Sequence, residues 1–154
     1  MGVRLRPLRE DEFEEWLRES REGYVRSMIE HGGFPEAEAQ EKARDDYAGL
    51  LTEGLATPTH DVFVLEDESS GARVGTLWIA ERPHALAVFD VEVDEGLRGR
   101  GYGRAAMLLA EDEARRRGFD RIVLNVFAGN VVARSLYESL GYQERGVSMS
   151  KSLT

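Results

Sequence analysis

The chain has 154 residues, a formal charge of −9, three histidines and no cysteine. That length suits one domain with a single core, and the expected organisation is one domain over residues 1–154. Absent cysteine excludes disulfides, thiolate metal sites and a cysteine nucleophile, His31, His60 and His84 match no metal spacing, and the acidic balance argues against nucleic acid. Met1 to Arg9 carries arginines and no apolar stretch, so it does not read as a signal peptide, and no apolar run approaches a bilayer span. The expectation is a soluble cytoplasmic protein with no metal, membrane or nucleic-acid partner.

"VRLRPL" (3–8) alternates apolar and charged residues and predicts a strand. Phe13, Trp16, Leu17, Ser20, Tyr24 and Met28 recur at three- and four-residue spacing, one face of a helix over 11–30. "HGGFP" (31–35) breaks it, and Pro35 suits the first turn of a second helix over 35–51 with Ala39, Ala43, Tyr47 and Leu50 on one stripe. The period then shortens. Strands are predicted at 61–66, 72–81 and 85–93, joined by short turns and therefore an antiparallel meander. Met107, Ala110 and Ala114 mark a helix over 104–117, with acid-before-base pairs Glu111–Arg115, Asp112–Arg116 and Glu113–Arg117 on its outer face. "RIVLNVF" (121–127) predicts a strand parallel to 85–93, because a helix connects them. Asn130 suits the N-cap of a helix bearing Val132, Ala133, Leu136, Tyr137 and Leu140, stopped by Gly141. "VSMSKSL" (147–153) alternates and predicts a closing strand, with a further short one around 142–145.

Between strand 85–93 and helix 104–117 stand Gly99, Gly101 and Gly103, interleaved with Arg98, Arg100 and Arg104. The dinucleotide fingerprint would need glycine where Arg104 stands, and no Gly-Lys-Ser/Thr ends a Walker loop. What remains is a turn stripped of side chains at a helix N-terminus, where free N–H groups and the positive dipole end suit a phosphate. A glycine-rich turn with solvated arginines fits the same residues equally well.

"RGRGYG" (98–103) matches the Gln/Arg-x-x-Gly-x-Gly/Ala signature of the GNAT superfamily of acyl-CoA-dependent N-acetyltransferases, and "LNVFAGNVVARSLYESLGY" (124–142) resembles its second motif. The resemblance implies an α+β fold: a mixed, mostly antiparallel sheet of six or seven strands with a central splayed parallel pair, flanked by about four helices. It implies acetyl-CoA as co-substrate, its pyrophosphate held by Arg98, Gly99, Arg100, Gly101, Tyr102, Gly103 and Arg104. The pantetheine arm would run along Val91 and Val93, with Asn130 meeting it or serving only as a helix cap. Tyr137, by pattern a packing residue, would in this family lie by the CoA sulfur and protonate the leaving thiolate.

Acetyl transfer also needs a base, since an alkyl ammonium with a pKa of about 10.4 is hardly nucleophilic at neutral pH. Relatives that acetylate protein N-termini carry glutamate where this chain has Asn125, which cannot accept a proton. Glu92, in mid-strand with Asp90 on the same face, is the replacement; both carboxylates could instead line a solvated face. The acceptor would be a primary amine of a small molecule or peptide, bound by the first two helices and the turn 81–85, with Trp78 and Tyr24 as candidate walls. Many members pair, which implies a homodimer. A non-catalytic acyl-CoA sensor, or a transferase using longer acyl groups or an alcohol acceptor, would share these motifs.

Overall fold

A computed structural model describes residues 2–154. Its elements run β1 (Val3–Pro7), α1 (Phe13–Gly32), α2 (Glu36–Leu50), β2 (His60–Asp67), β3 (Arg73–Glu81), β4 (Leu86–Val93), α3 (Tyr102–Arg116), β5 (Ile122–Leu124) and α4 (Val131–Ser139). The stripes predicted for the first three helices supply buried faces, whereas on α4 no residue is fully buried and Val132 is 84% exposed. α1 buries Phe13, Trp16, Ser20, Gly23 and Met28, and α3 buries Ala106, Met107, Ala110 and Ala114. Pro35 is the N-cap of α2 rather than a residue of its first turn, with extended backbone at φ −62° and ψ 148°. On α3, Arg117 reaches Glu113 at 3.0 Å and Arg115 reaches Glu111 at 3.8 Å. Asp112 pairs with Arg115 instead of Arg116, which turns to Glu113, so the expected Asp112–Arg116 pair is replaced by neighbours one residue closer.

The sheet runs in the order β1-β2-β3-β4-β5. β1 to β4 are antiparallel, and β4 pairs with β5 in parallel, as the helical connection requires. One face packs Leu77, Ile79, Leu86 and Val88 against Met107 and Ala110 of α3. The other packs Val62, Val64 and Trp78 against Trp16 of α1 and Tyr47 of α2. Trp78 is therefore core, only 2% exposed, with its indole N–H donated to His60 Nδ1 at 3.0 Å; it is not a wall of an acceptor pocket.

The described residues form five strands, not six or seven. Residues 143–154 are exposed throughout, and among the described residues no backbone hydrogen bond ties them to the sheet, so neither 142–145 nor 147–153 becomes a strand here. β5 is also shorter than expected, three residues instead of the seven of 121–127. Its partner leaves it: Trp78 opposes Asp90 while Ile79 opposes Val88, making Phe89 an extra residue in β4. Such a bulge bends its strand, and β4–β5 pairing ends at Val88–Leu124. The splayed parallel pair accordingly lies at one edge of the sheet rather than at its centre.

Candidate active site

Beyond the bulge, Asp90 to Val93 run on with no paired strand on the β5 side among the described residues. Backbone groups of a strand point alternately to its two flanks. Asp94 donates its N–H to Val74 of β3 at 2.9 Å, whereas the carbonyl of Val93 receives Arg98 Nε at 3.0 Å. Val91 and Val93 thus aim their backbone into the gap where β4 and β5 part.

The chain then passes a short 3-10 turn (Glu95–Leu97) and enters α3 through glycines. Gly99 and Gly101 have φ of +79° and +89°, a region that side chains with a β-carbon disfavour. Gly103 packs its bare α-carbon near Leu136, which a β-carbon would meet at 3.5 Å. Leu97 and Arg98 donate to Asp94 and Glu95 carbonyls, and Ala105 donates to Gly101. Among the described residues none of the six intervening N–H groups, 99 to 104, has a protein acceptor. They open around the N-terminus of a 15-residue helix, whose dipole adds positive potential. The free donors and the glycine conformations fit a pyrophosphate.

The loop's larger side chains are more engaged than the sequence suggests. Arg98 lies 3.6 Å from Glu92, Arg104 donates to Ser139 Oγ at 3.1 Å, and the Tyr102 hydroxyl donates to Asp67 at 3.3 Å. Arg100 makes no ion pair among the described residues.

Asp90 and Glu92 project to the α1 side of the sheet. Ser20 of α1 donates to Asp90 Oδ2 at 2.5 Å and lies 2.8 Å from the Tyr47 hydroxyl of α2. With its single proton directed at an ionised Asp90, Ser20 receives its second bond from Tyr47. Burial, and next the charge of Glu92, push the Asp90 carboxyl up to about 7. Glu92 is also raised by burial, opposed by Arg98 and Arg26. Gly23 makes its place: a β-carbon there would stand 2.7 Å from Glu92 Oε1. A cleft of about 290 Å³ opens at this point, lined among others by Glu19, Ser20, Arg26, Glu92 and Arg98. A larger, shallower depression over Glu14, Arg18 and Arg21 brings no such groups together.

Tyr137, on α4, packs from the opposite face of the sheet against the α3 core and Tyr142, at a ring distance of 5.8 Å. Its hydroxyl makes no hydrogen bond among the described residues, and burial followed by the charge of Asp90 raises its pKa. Asn130 caps α4, accepting the Ala133 N–H at 3.2 Å. Asn125 is exposed just past the end of β5. Tyr24 donates to Asp46 at 2.9 Å and stacks near Phe127 of the β5–α4 loop at 6.3 Å.

The family model for GNAT acetyltransferases matches residues 10–142. The chain belongs to the GNAT family. It is 34% identical to the uncharacterized N-acetyltransferase YycN of Bacillus subtilis (strain 168), over 99% of this chain and 100% of that protein. YdgE of the same organism, also named an uncharacterized N-acetyltransferase, is 29% identical over 99% of each chain. The crystal structure of the putative acetyltransferase YycN superposes with a TM-score of 0.90 at 33% identity, covering 99% of both chains. This GNAT protein is an N-acetyltransferase, and no helix among its described residues is long and apolar enough to cross a membrane. In its site the sequence reading missed Gly23, Ser20 and Tyr47. Only Ser20 and Tyr47 carried a signal, as polar atoms on otherwise apolar stripes.

Proposed function

We propose that this enzyme transfers the acetyl group of acetyl-CoA to a primary amine carried by a small molecule or peptide. The observation that carries the reading is the run of six amides from Gly99 to Arg104, unpaired among the described residues, at the head of α3 and adjoining the gap between β4 and β5. The donor supplies an activated acetyl thioester. Gly99 to Arg104 bind its pyrophosphate through their N–H groups, with Arg100 free to pair further oxygens. Val91 and Val93 hold the pantetheine arm by strand-like pairing, and an N–H of the same strand faces the oxygen that becomes negative as the amine adds.

The acceptor enters from the α1 side. Five carboxylates line that cleft, Glu19, Glu22, Glu92, Asp94 and Glu95, against three arginines, Arg26, Arg73 and Arg98, an acidic excess that favours a cation over an anionic acceptor. Glu92, directly or through water, takes the proton that the ammonium must lose, and its raised pKa brings its basicity closer to the working pH. Asp90, deeper and coupled to Glu92, keeps the pair from both being charged at little cost. Tyr137 stays protonated because burial raises its pKa, and it delivers its proton to the departing sulfur. Asn130 keeps α4, and with it Tyr137, in place as the helix cap.

Calorimetric titration of acetyl-CoA into the wild type, Gly101→Asp and Gly101→Asn tests the site. Both variants bear the same strain at φ +89°, which asparagine tolerates comparatively well. They differ in charge. Binding by the wild type and Gly101→Asn, lost in Gly101→Asp, is the expected result, followed by CoA thiol release with amine acceptors. No binding by the folded wild type would overturn the reading. Binding with no thiol release across an amine panel would favour a sensor.

A further inference from the structure

Of the three arginines that line the acceptor cleft, two are committed within the protein. Arg98 donates to the Val93 carbonyl and lies 3.6 Å from Glu92, and Arg73 lies 3.4 Å from Asp94 and 3.5 Å from Glu19. Arg26 makes no ion pair and no side-chain hydrogen bond among the described residues. A helix offers such a residue partners one turn away on either side, and here both are acids, Glu22 and Glu30. Yet Glu22 pairs with Arg18 at 3.4 Å, and Glu30 lies 4.0 Å from His31. Arg26 turns instead to the notch at Gly23. A β-carbon on that glycine would stand 3.7 Å from Arg26 Nη2 and 2.7 Å from Glu92 Oε1. The two atoms are therefore no farther apart than the sum of those distances, while still beyond ion-pair reach of each other.

An acid and a cation so placed suit a molecule that carries an ammonium and an anion side by side. In an α-amino carboxylate the nitrogen and the carboxyl carbon are about 2.5 Å apart across one α-carbon, so one group can meet Glu92 and the other Arg26, each through a charge-assisted hydrogen bond. A singly charged anion fits best, because the surrounding carboxylates repel a phosphate dianion. We infer that the acceptor is a zwitterion, an α-amino acid with its carboxylate free, which pairs with Arg26 while its amine faces Glu92. The inference rests on acetylation of an amine with Glu92 as base and names the acceptor within it. Arg26 then separates an amino acid from a peptide N-terminus or a simple amine, neither of which has an anion beside the nitrogen. Its charge also opposes the rise of the Glu92 pKa. A carboxylate seated on Arg26 offsets that charge, so Glu92 is a stronger base with an amino acid in place than with a simple amine.

The test is thiol release from acetyl-CoA with glycine, serine, arginine, glutamate and phenylalanine, each supplied as the free acid, the α-amide and the decarboxylated amine. These forms differ in amine basicity, so the acid-to-amide ratio of kcat/KM is compared between proteins, where that difference cancels. In Arg26→Gln the ratio is expected to fall about tenfold or more, the scale of one charge-assisted pair, mainly through KM for the acid. Arg26→Lys is expected to keep part of it. Arg26 is exposed and unpaired among the described residues, so both variants should fold, with melting temperature as the check. A ratio unchanged by Arg26→Gln, or a wild type that uses amides and amines but none of the acids, would overturn the inference and leave the transferase standing. No thiol release with any acceptor would overturn both.

Discussion

Gly23 of α1 and Glu92 of β4 meet so closely that a β-carbon on the glycine would stand 2.7 Å from the carboxylate oxygen. Glycine in the middle of a 20-residue helix costs roughly 0.5–1 kcal/mol relative to alanine. Its place here follows from the carboxylate it admits. Gly23→Ala should therefore gain helix stability while displacing Glu92, which can swing because the contact is at the end of a flexible side chain. The expected outcome is an unchanged or slightly higher melting temperature with kcat down about 10-fold or more, and acetyl-CoA affinity within about twofold. Gly49→Ala, where a β-carbon meets nothing within 4 Å, should show the stability gain alone. Equal activity in both variants would separate Glu92 from the chemistry.

Glu92→Gln keeps the shape and removes the proton acceptor. At neutral pH the rate should fall by about 10²-fold or more, the scale of general-base catalysis, with acetyl-CoA binding little changed. In the wild type burial holds the Glu92 pKa above the ordinary carboxylate value, so its activity should decline as pH falls toward the acid range. The glutamine variant should lose that limb. A full rate, or an acid limb that persists, would point to a water chain ending elsewhere.

How much of this was readable beforehand depended on distance along the chain. The α1 stripe, the meander and the capped α4 are local patterns, and Asn130 declares itself three residues from the N–H it accepts. The glycine loop was readable because glycine permits the left-handed backbone that Gly99 and Gly101 adopt, a local property of the residue type. Contacts such as Ser20–Asp90, 70 residues apart, were not, because nothing near either residue specifies the other. Asp90 thus read as a companion of Glu92 without its partners, and Trp78 as a wall when His60 and Phe89 enclose it in the core. The closing strand shows the opposite limit. Alternation at 147–153 announces strand character, but periodicity does not name the sheet that receives it.

Asp90 should make stability depend on pH in the sense opposite to a salt-bridged carboxylate. Its pKa rises from an unfolded value of about 3.9 to about 7 in the fold. Between those values the folded state holds more protons than the unfolded one, so stability falls as pH rises. The contribution is complete below about pH 4 and lost through about pH 7. Asp90→Asn cannot ionise. Relative to the wild type it should be stabilised at pH 8 by on the order of 2 kcal/mol more than at pH 4, after discounting for the coupling to Glu92. Urea melts at the two pH values measure the difference. A difference near zero would mean that the Asp90 pKa is no higher in the fold than in the unfolded chain.

Tyr137 offers the cleanest separation of packing from chemistry. Its ring is fixed among the α3 core residues and Tyr142, whereas its hydroxyl has no partner among the described residues. Removing the oxygen therefore breaks no hydrogen bond, and Tyr137→Phe should melt within about 1 kcal/mol of the wild type. If the hydroxyl protonates the leaving thiolate, kcat should fall by about 10²-fold with acetyl-CoA affinity nearly constant. Thioesters differ in how much they need that proton. An acetyl donor with a more acidic thiol leaves readily as the anion, so the variant should recover most of its rate with an acetyl thioester of an aromatic thiol. The same loss with both donors would assign Tyr137 to packing and take the acid out of the mechanism.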